Sequence, residues 1–541
     1  MDRRDFMKKA ILSSLMLSSG ALTLLKSRGV HAEDTDDILL FCINAPRAWD
    51  PTSFCDPITK RGFYRGYDAM NKFNSYLSEG TPNTYNPLDI NAGMGGDIEG
   101  NTQEGRFVWH QDTESDQPYD VKTYTRDHVD DNGSNSFKVA PFTNTSKACI
   151  GPYQVGPSGD IDFFEYYRND LHVFNGVNTK SNAHPVGQRQ AWSGRIRVGA
   201  PNIAALWGAI KELENGDGTY PKPFPMTFGS NSTGYEFTSD LVSITRAGNS
   251  DALMNLTDVY VKSASTGDTS PIVASLFVDR MKNYEQDKAA RLMASGLPPH
   301  VKDNLERLEK AQLAEPDFKP LADSLEMILA PYDDSAELEQ ARILVAAMKA
   351  GICKSAFLGA GDFDSHSNHY ENSNSSASNH CDNLQRLFRL THYVRQALEA
   401  AGIWDRSIIM MASDFGRTRL NGDSRGKDHA PVTSTMLMGG ENTGIGPGKS
   451  FGYSYISDIH PEGVLKTPKY VYAGNILVQN DGSITNSYDL DNGFNLTPAH
   501  IHHAVRKILG ISDHPLAVAY ELSSDFTPEF EDLAFPFFAG S

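Results

Sequence analysis

Short apolar runs separated by longer amphipathic stretches set the first expectation for this chain. Ile38–Ile43, Leu171–Phe174, Ser355–Leu358, Ile408–Ala412 and Thr435–Met438 are four to six residues long and almost continuously apolar. Runs of that length read as strands buried on both faces, the habit of parallel sheets. Between them the period changes. Leu338, Ala341, Val345 and Met348 recur three and four apart within Ser335–Ala350, and Gly351 is placed to end a helix there. A second helix is expected from Asp382 to Ala401, with Leu384, Leu387, Phe388, Val394 and Leu398 inward and Gly402 as its stop. A third starts at Thr497-Pro498 and runs to Leu509 before Gly510. Strands alternating with helices predict an α/β fold, a largely parallel sheet flanked by helices. Residues 270–350, punctuated by Pro298-Pro299, Pro316, Pro320 and Pro331, read as a helical insertion of about four helices. Residues 76–160 read as long surface loops, and the polar stretch 367–381 as a mobile loop.

Composition narrows the class without naming an activity. The chain has 541 residues, 39% hydrophobic and 22% charged, which excludes wholesale disorder, collagen and coiled coil. A formal charge of −19 argues against nucleic acid or an anionic membrane as the main partner. Five cysteines are too few for a disulfide scaffold, and Cys42, inside the first apolar run, reads as a packed small hydrophobe.

Residues 1–32 are set apart as an export signal. Arg3-Arg4-Asp5-Phe6-Met7-Lys8, then the moderately apolar Ala10–Leu25, then Val30-His31-Ala32 resemble a twin-arginine leader with a small-x-small cleavage site. Residues 33–541 are then a single domain carrying the 270–350 insertion, exported folded to the periplasm or beyond. No apolar run is long enough to span a bilayer.

Polar residues gather just past the expected strands, where open α/β sheets bind ligands. Asn44, Asp50, Thr52 and Ser53 follow the first strand; Asn175, Asn178, Asn182 and His184 follow the second. Asp362, Asp364 and His366 follow Leu358, Asp414 and Arg417 follow Ala412, and Asp428-His429 stands ahead of the strand at Thr435. Carboxylates and imidazoles drawn from several strand ends suit one divalent cation: zinc, manganese or calcium. Asp50, Asp362, Asp364, His366, Asp414 and His429 are the candidate ligands. His500, His502 and His503 cannot all face one ion from one helix, and a surface or lining role is expected for them.

Three blocks carry a resemblance. Phe363-Asp364-Ser365-His366, Ser413-Asp414-Phe415-Gly416-Arg417-Thr418 and Lys427-Asp428-His429 resemble the bacterial family catalogued as domain of unknown function 1501. Asn182-Ala183-His184 and Ser193-Gly194-Arg195 look like further family features. By resemblance the family is grouped with the alkaline-phosphatase-like superfamily of phosphatases, sulfatases and phosphoglycerate mutases, which bind one or two metals at strand ends. That implies a ligand role for Asp414 and His429 and for the Asp-x-x-x-His pair Asp362 and His366. Phe415 stands where a second metal's histidine would be, so the second metal is doubtful. Thr52 and Ser53 are the nucleophile candidates, and Arg417, Arg195 and His184 complete the catalytic set. Cys55-Asp56-Pro57 resembles the start of a sulfatase block by coincidence, since Thr59 replaces its arginine. The expectation is a metal-dependent hydrolase acting on a small or polymeric phosphate or sulfate ester. The alternative is a binding or assembly protein on a decayed enzyme scaffold, with a large exported protein as the partner the resemblance implies.

Overall fold

The computed structural model describes residues 37–56, 122–130, 135–139, 153–214, 324–351, 353–367, 380–420, 427–456, 471–479, 483–487 and 493–522. It also describes the short stretches 226–228, 245–247, 260–262 and 269–271 and the single residues 291 and 369. The proposed leader lies outside the described residues, as do 272–290 and 292–323 of the expected helical insertion.

One eight-stranded sheet organises the chain. In sequence order its strands are β1 (Leu39–Ala45), β2 (His172–Asn178), β3 (Met226–Phe228), β4 (Thr245–Ala247), β5 (Ser355–Gly359), β6 (Ser407–Ser413), β7 (Val432–Gly439) and β8 (Ser450–Phe451). Their spatial order is β8-β2-β7-β6-β1-β5-β3-β4. β1 lies parallel between β5 and β6, and β3 and β4 extend the parallel edge. β7 runs antiparallel to both β6 and β2. The Thr435–Met438 run, expected as a parallel strand, is therefore the reversed member of the sheet. Its continuous apolar content has the same cause as in its neighbours, burial on both faces, so composition does not reveal direction.

Strand alternation divides the core. Leu39, Phe41, Ile43, Ile409, Met411, Met436 and Met438 enter one apolar cluster, with helices α3 (Ala336–Lys349) and α4 (His380–Ala400). Leu40, Cys42, Ile408, Met410 and Leu437 enter the other, with α2 (Ile203–Glu214) and α5 (Pro498–Ile508). A helix layer covers each face, and period-two alternation sets which side chain meets which layer. Cys42 is buried as expected, and burial pushes its thiol far above the usual range. Cys55 and Cys353 are also buried free thiols, whereas Cys381, in the first turn of α4, is disulfide-bonded.

Two expectations of loop character need correction. Within 76–160, Lys122–Thr125 and Ser136–Val139 pair as a hairpin whose Tyr124 and Phe137 stack at 5.5 Å in the core. Aromatic and β-branched residues at alternate positions give that hairpin a buried face. At the ends of the polar stretch 367–381, His369 and His380 are fully buried; residues 370–379 lie outside the described residues. On α5, His500 and His502 are buried as well, not at the surface. His500 Nδ1 caps the helix start by accepting from the Thr497 N–H at 3.0 Å, and His502 Nε2 donates to the Ala191 carbonyl at 2.8 Å.

Candidate metal centre

The edge of the sheet where β1, β2, β5 and β6 end is also where the reversed β7 begins. Asn44 pairs in register with Ala412 and Gly359, Ala412 with Thr435, and Val432 with Asn178. The segments 182–184, 362–366, 414–417 and 427–429 thus emerge along one rim. β1 leaves it through a tight turn in which Arg47 and Ala48 hold φ of 66° and 70°. Non-glycine residues take that conformation only when surrounding contacts hold it. Here Arg417 does so, its guanidinium donating to the carbonyls of Arg47 and Ala48.

His184 opens helix α1 (His184–Ser193), whose entry angle is set by Pro185 in its first turn. The helix lies close to the end of β6 because residue 187 is glycine. A Cβ there would stand 2.4 Å from the Asp414 carbonyl oxygen and 2.7 Å from the Phe415 ring. Trp192 secures the other end of α1 by donating its indole N–H to Asn44 Oδ1 at 2.9 Å.

Three ligand atoms converge. His184, Asp364 and His429 each offer one atom, all within 4.8 Å of one another. His184 Nε2 is 3.7 Å from Asp364 Oδ2, and His429 Nε2 is 3.5 Å from Asp364 Oδ1. Around a tetrahedral zinc with bonds of about 2.0–2.1 Å, ligand atoms stand about 3.4 Å apart, so the spacing fits a cation of that size. The outer partners fit too. His184 Nδ1 donates to Asp414 Oδ2 at 2.8 Å, and His429 Nδ1 donates to the Asn182 carbonyl at 2.8 Å. Each contact fixes the ring and turns its Nε2 toward Asp364, the arrangement that orients histidine ligands in metal centres. His184 Nε2 is buried and has no hydrogen-bond partner. The Asp364 carboxylate 3.7 Å away is what compensates it in the metal-free protein.

The electrostatics show how strongly this pocket holds positive charge. Burial alone would lower the His184 imidazole, but the Asp364 and Asp414 carboxylates outweigh it and raise it to about 9. Burial would raise Asp364, yet His184, His429 and Arg417 hold it far below the ordinary carboxylate range. Asp414 is raised by burial, only partly offset by His184.

The remaining expected residues divide clearly. His366 stands at the rim, half exposed, its Nε2 3.0 Å from both Asp364 Oδ1 and His429 Nε2 and its Nδ1 3.1 Å from Asp428. Asp414 stands behind His184, and His184, expected among the catalytic groups, supplies a ligand atom. Asp362 points away and pairs with Arg47 in solvent at 3.0 Å. Arg417 is committed to four backbone carbonyls and to Asp364 Oδ1 at 2.9 Å, so its fork orients the ligand carboxylate. Arg195 follows the far end of α1, about 15 Å of helix away from His184 at 1.5 Å per residue. The Phe415 ring sits 4.9 Å from His184 and 4.6 Å from His429, an apolar wall against both imidazoles.

Asp50 is fully buried and does not join the three ligand atoms. It caps the turn Pro51–Ser53, accepting from the Thr52 hydroxyl at 2.6 Å and the Ser53 hydroxyl at 2.8 Å. Lys427 Nζ and His369 Nε2 also donate to it. Burial would raise this carboxyl, but the Lys427 ammonium and His369 hold it well below the usual range. The roles of His369, His380 and Lys427 were missed in the sequence; the one available signal was Lys427, two residues ahead of His429.

Residues 165–456, more than half of the chain, match the family described as "Protein of unknown function (DUF1501)". The chain belongs to that family. All three converging side chains of this DUF1501 protein fall inside the matched span. No curated protein matches the chain. Among solved structures, the lipoteichoic acid synthase LtaP from Listeria monocytogenes is 11% identical, with a TM-score of 0.21 over 68% of this chain and 87% of that one. Ps i-CgsB, in complex with k-i-k-neocarrahexaose, is 10% identical, with a TM-score of 0.20 over 68% of this chain and 90% of that one. At such scores the α/β assignment rests on the sheet of the DUF1501 protein itself. Among its described residues, no helix is long and apolar enough to cross a membrane.

Proposed function

We propose that this protein is an exported, metal-dependent hydrolase of a phosphate or sulfate ester. His184, Asp364 and His429 would hold one divalent cation. The observation that carries the reading is the pair of histidines whose Nδ1 atoms are tied back to Asp414 and to the Asn182 carbonyl, leaving both Nε2 atoms facing one carboxylate. A cation held there supplies Lewis-acid polarisation of an ester oxygen or a water made more acidic. The chain's own groups do the rest. Arg417 and Asp414 fix the ligands, and Phe415 excludes water from one side of the imidazoles. His366, at the solvent rim, is positioned to pass a proton between the site and bulk water. The disulfide at Cys381 supports export to an oxidising compartment, in keeping with the leader-like residues 1–32.

A second reading, a binding or assembly protein for a large exported partner, is favoured by one observation. The hydroxyls of Thr52 and Ser53 are both spent on Asp50, so neither is presented as a nucleophile. Elemental mass spectrometry on protein exported through its own leader, beside His429→Ala, separates the cases. About one equivalent of zinc, manganese or calcium, lost in the variant and accompanied by turnover on an ester panel, is expected. Metal without turnover on any ester would leave the binding reading, and wild type as empty as the variant would remove the metal centre.

A further inference from the structure

Beneath the three ligand residues lies a second polar group that the chemistry above does not use. Asp50, Ser365, His369 and His380 form a closed circuit. The Asp50 N–H donates to His380 Nε2 at 2.9 Å, and His380 Nδ1 lies 3.4 Å from the Ser365 hydroxyl. That hydroxyl meets His369 Nδ1 at 2.5 Å, and His369 Nε2 meets Asp50 Oδ2 at 3.2 Å. Donor and acceptor roles follow around the ring. A carboxylate only accepts, so His369 Nε2 carries a proton and its Nδ1 accepts from Ser365. An N–H only donates, so His380 Nε2 accepts and its Nδ1 donates to Ser365. Both imidazoles are then neutral, in accord with burial, which lowers His369 to about 3 and His380 well below its ordinary value. Their rings stack at 4.1 Å, and Asp50, His369 and His380 are all buried.

The circuit touches two of the three ligand-bearing segments. Ser365 stands between Asp364 and His366 in the chain, and its carbonyl accepts from the Lys427 N–H at 2.9 Å. Lys427 is two residues from His429, its ammonium is bound to Asp50, and its carbonyl accepts from Arg417 at 3.1 Å. One buried carboxylate thus fastens the segment of Asp364 through His369 and Ser365, and the segment of His429 through Lys427.

We propose that Asp50 is a positioning residue for the metal centre, setting the distance between Asp364 and His429 through this circuit and Lys427. The inference rests on the metal reading above, and it predicts a change in the ion's surroundings as well as in the fold. The probe is Co2+, whose visible absorption reports ligand geometry, titrated into the full exported chain after chelation. The panel is wild type, His184→Ala, Asp50→Asn, Ser365→Ala and Ser365→Thr. Asp50→Asn leaves the Lys427 ammonium buried without its carboxylate and can fail to fold. Ser365→Ala removes one hydroxyl only and keeps the test decisive. Loss of an outer partner of a metal ligand weakens binding by about 10–100-fold. Ser365→Ala is expected to bind Co2+ about tenfold more weakly with an altered visible band, and Ser365→Thr, which keeps the hydroxyl, to recover both. If His184→Ala abolishes binding while Ser365→Ala and Asp50→Asn match wild type in affinity and spectrum, the positioning role is overturned and the metal centre stands. A fall in melting temperature with an unchanged spectrum overturns it equally. Wild type that binds no Co2+ refutes the metal reading, and the positioning role falls with it.

Discussion

Replacing Asp414 by Asn separates the stability of the fold from the affinity of the proposed metal centre, because opposing effects leave the first nearly level while the second should fall. Asp414 is fully buried, and its Oδ2 accepts the His184 Nδ1–H at 2.8 Å. Burial raises its carboxyl despite that partner, so the ionised form carries a desolvation penalty in the metal-free protein. Asn keeps the shape and an acceptor oxygen but removes the charge. Relief of the buried charge is then opposed by loss of one of the two carboxylates that raise His184 to about 9, and the metal-free variant should unfold close to the wild-type denaturant concentration. Metal affinity should fall, because His184 loses the carboxylate that fixes its ring and raises the basicity of Nε2; outer-shell losses of this kind cost about 10–100-fold. The assay is chemical unfolding with and without metal. At metal 100 times the wild-type Kd, binding adds about 2.7 kcal/mol to wild type. The same concentration adds about 1.4 kcal/mol to a variant tenfold weaker and about 0.4 kcal/mol to one a hundredfold weaker. A variant that gains as much from metal as wild type does would refute the view that Asp414 acts through His184. A large loss of metal-free stability would show instead that the carboxylate is held for the fold.

Gly187→Ala should cost about 1–3 kcal/mol in chemical unfolding, because its Cβ meets the Asp414 carbonyl at 2.4 Å and α1 must move outward. Since His184 sits one turn earlier on α1, metal affinity should fall in parallel, and an unchanged affinity would show that the ligand tolerates the shift. Acid should weaken the fold through its buried neutral histidines. Burial lowers His172, His500 and His502 each to about 3. Unfolding lets all three take up protons below about 6.5, so stability is intact above that pH and is lost as the pH falls toward 3. The slope approaches about 1.4 kcal/mol per pH unit for each histidine, about 4 for the three, once the unfolded forms are fully protonated. A urea midpoint that stays level between pH 6 and 4.5 would contradict this.

The fold was legible wherever burial wrote a period into the chain. Continuous apolar runs marked β1, β2, β5, β6 and β7, because these strands feed both cores, and three-and-four spacing marked α3, α4 and α5, because each helix presents an apolar face to one core. What the periods do not encode is direction and partner. Tyr124 and Phe137 form a buried hairpin within a stretch otherwise poor in apolar residues, and two residues per strand leave a weak periodic trace. His369 and His380 sit in a polar stretch of the sequence yet are buried in space, their imidazoles satisfied by Asp50 and Ser365. The residues of the candidate site followed the same rule. The strand-end segments were recognisable, but whether a carboxylate ligates, as Asp364 can, or stands behind a histidine, as Asp414 does, depends on a few ångströms that no spacing expresses. His184 entered the ligand group because Gly187 lets α1 come close, a contact between segments more than 200 residues apart.

The reversal of β7 is what makes the three-residue group possible. His429 precedes its strand, and in a uniformly parallel sheet the residue before a strand lies at the opposite edge from the residues that follow the others. An eight-residue strand at about 3.3 Å per residue would place it roughly 25 Å from Asp364. Antiparallel pairing with both β6 and β2 brings the start of β7 to the rim instead, and the hairpin Gly416–Leu420/Lys427–Ala430 folds His429 back onto it. Arg417 pairs with His429 in that hairpin while its guanidinium holds Asp364, so one short ribbon carries the outer support of one ligand and the backbone of another. Phe415 packs against both imidazoles, which themselves meet edge to face at 4.4 Å. Topology and packing together bring His184, Asp364 and His429 to one place, on three segments that meet because a single strand runs the other way.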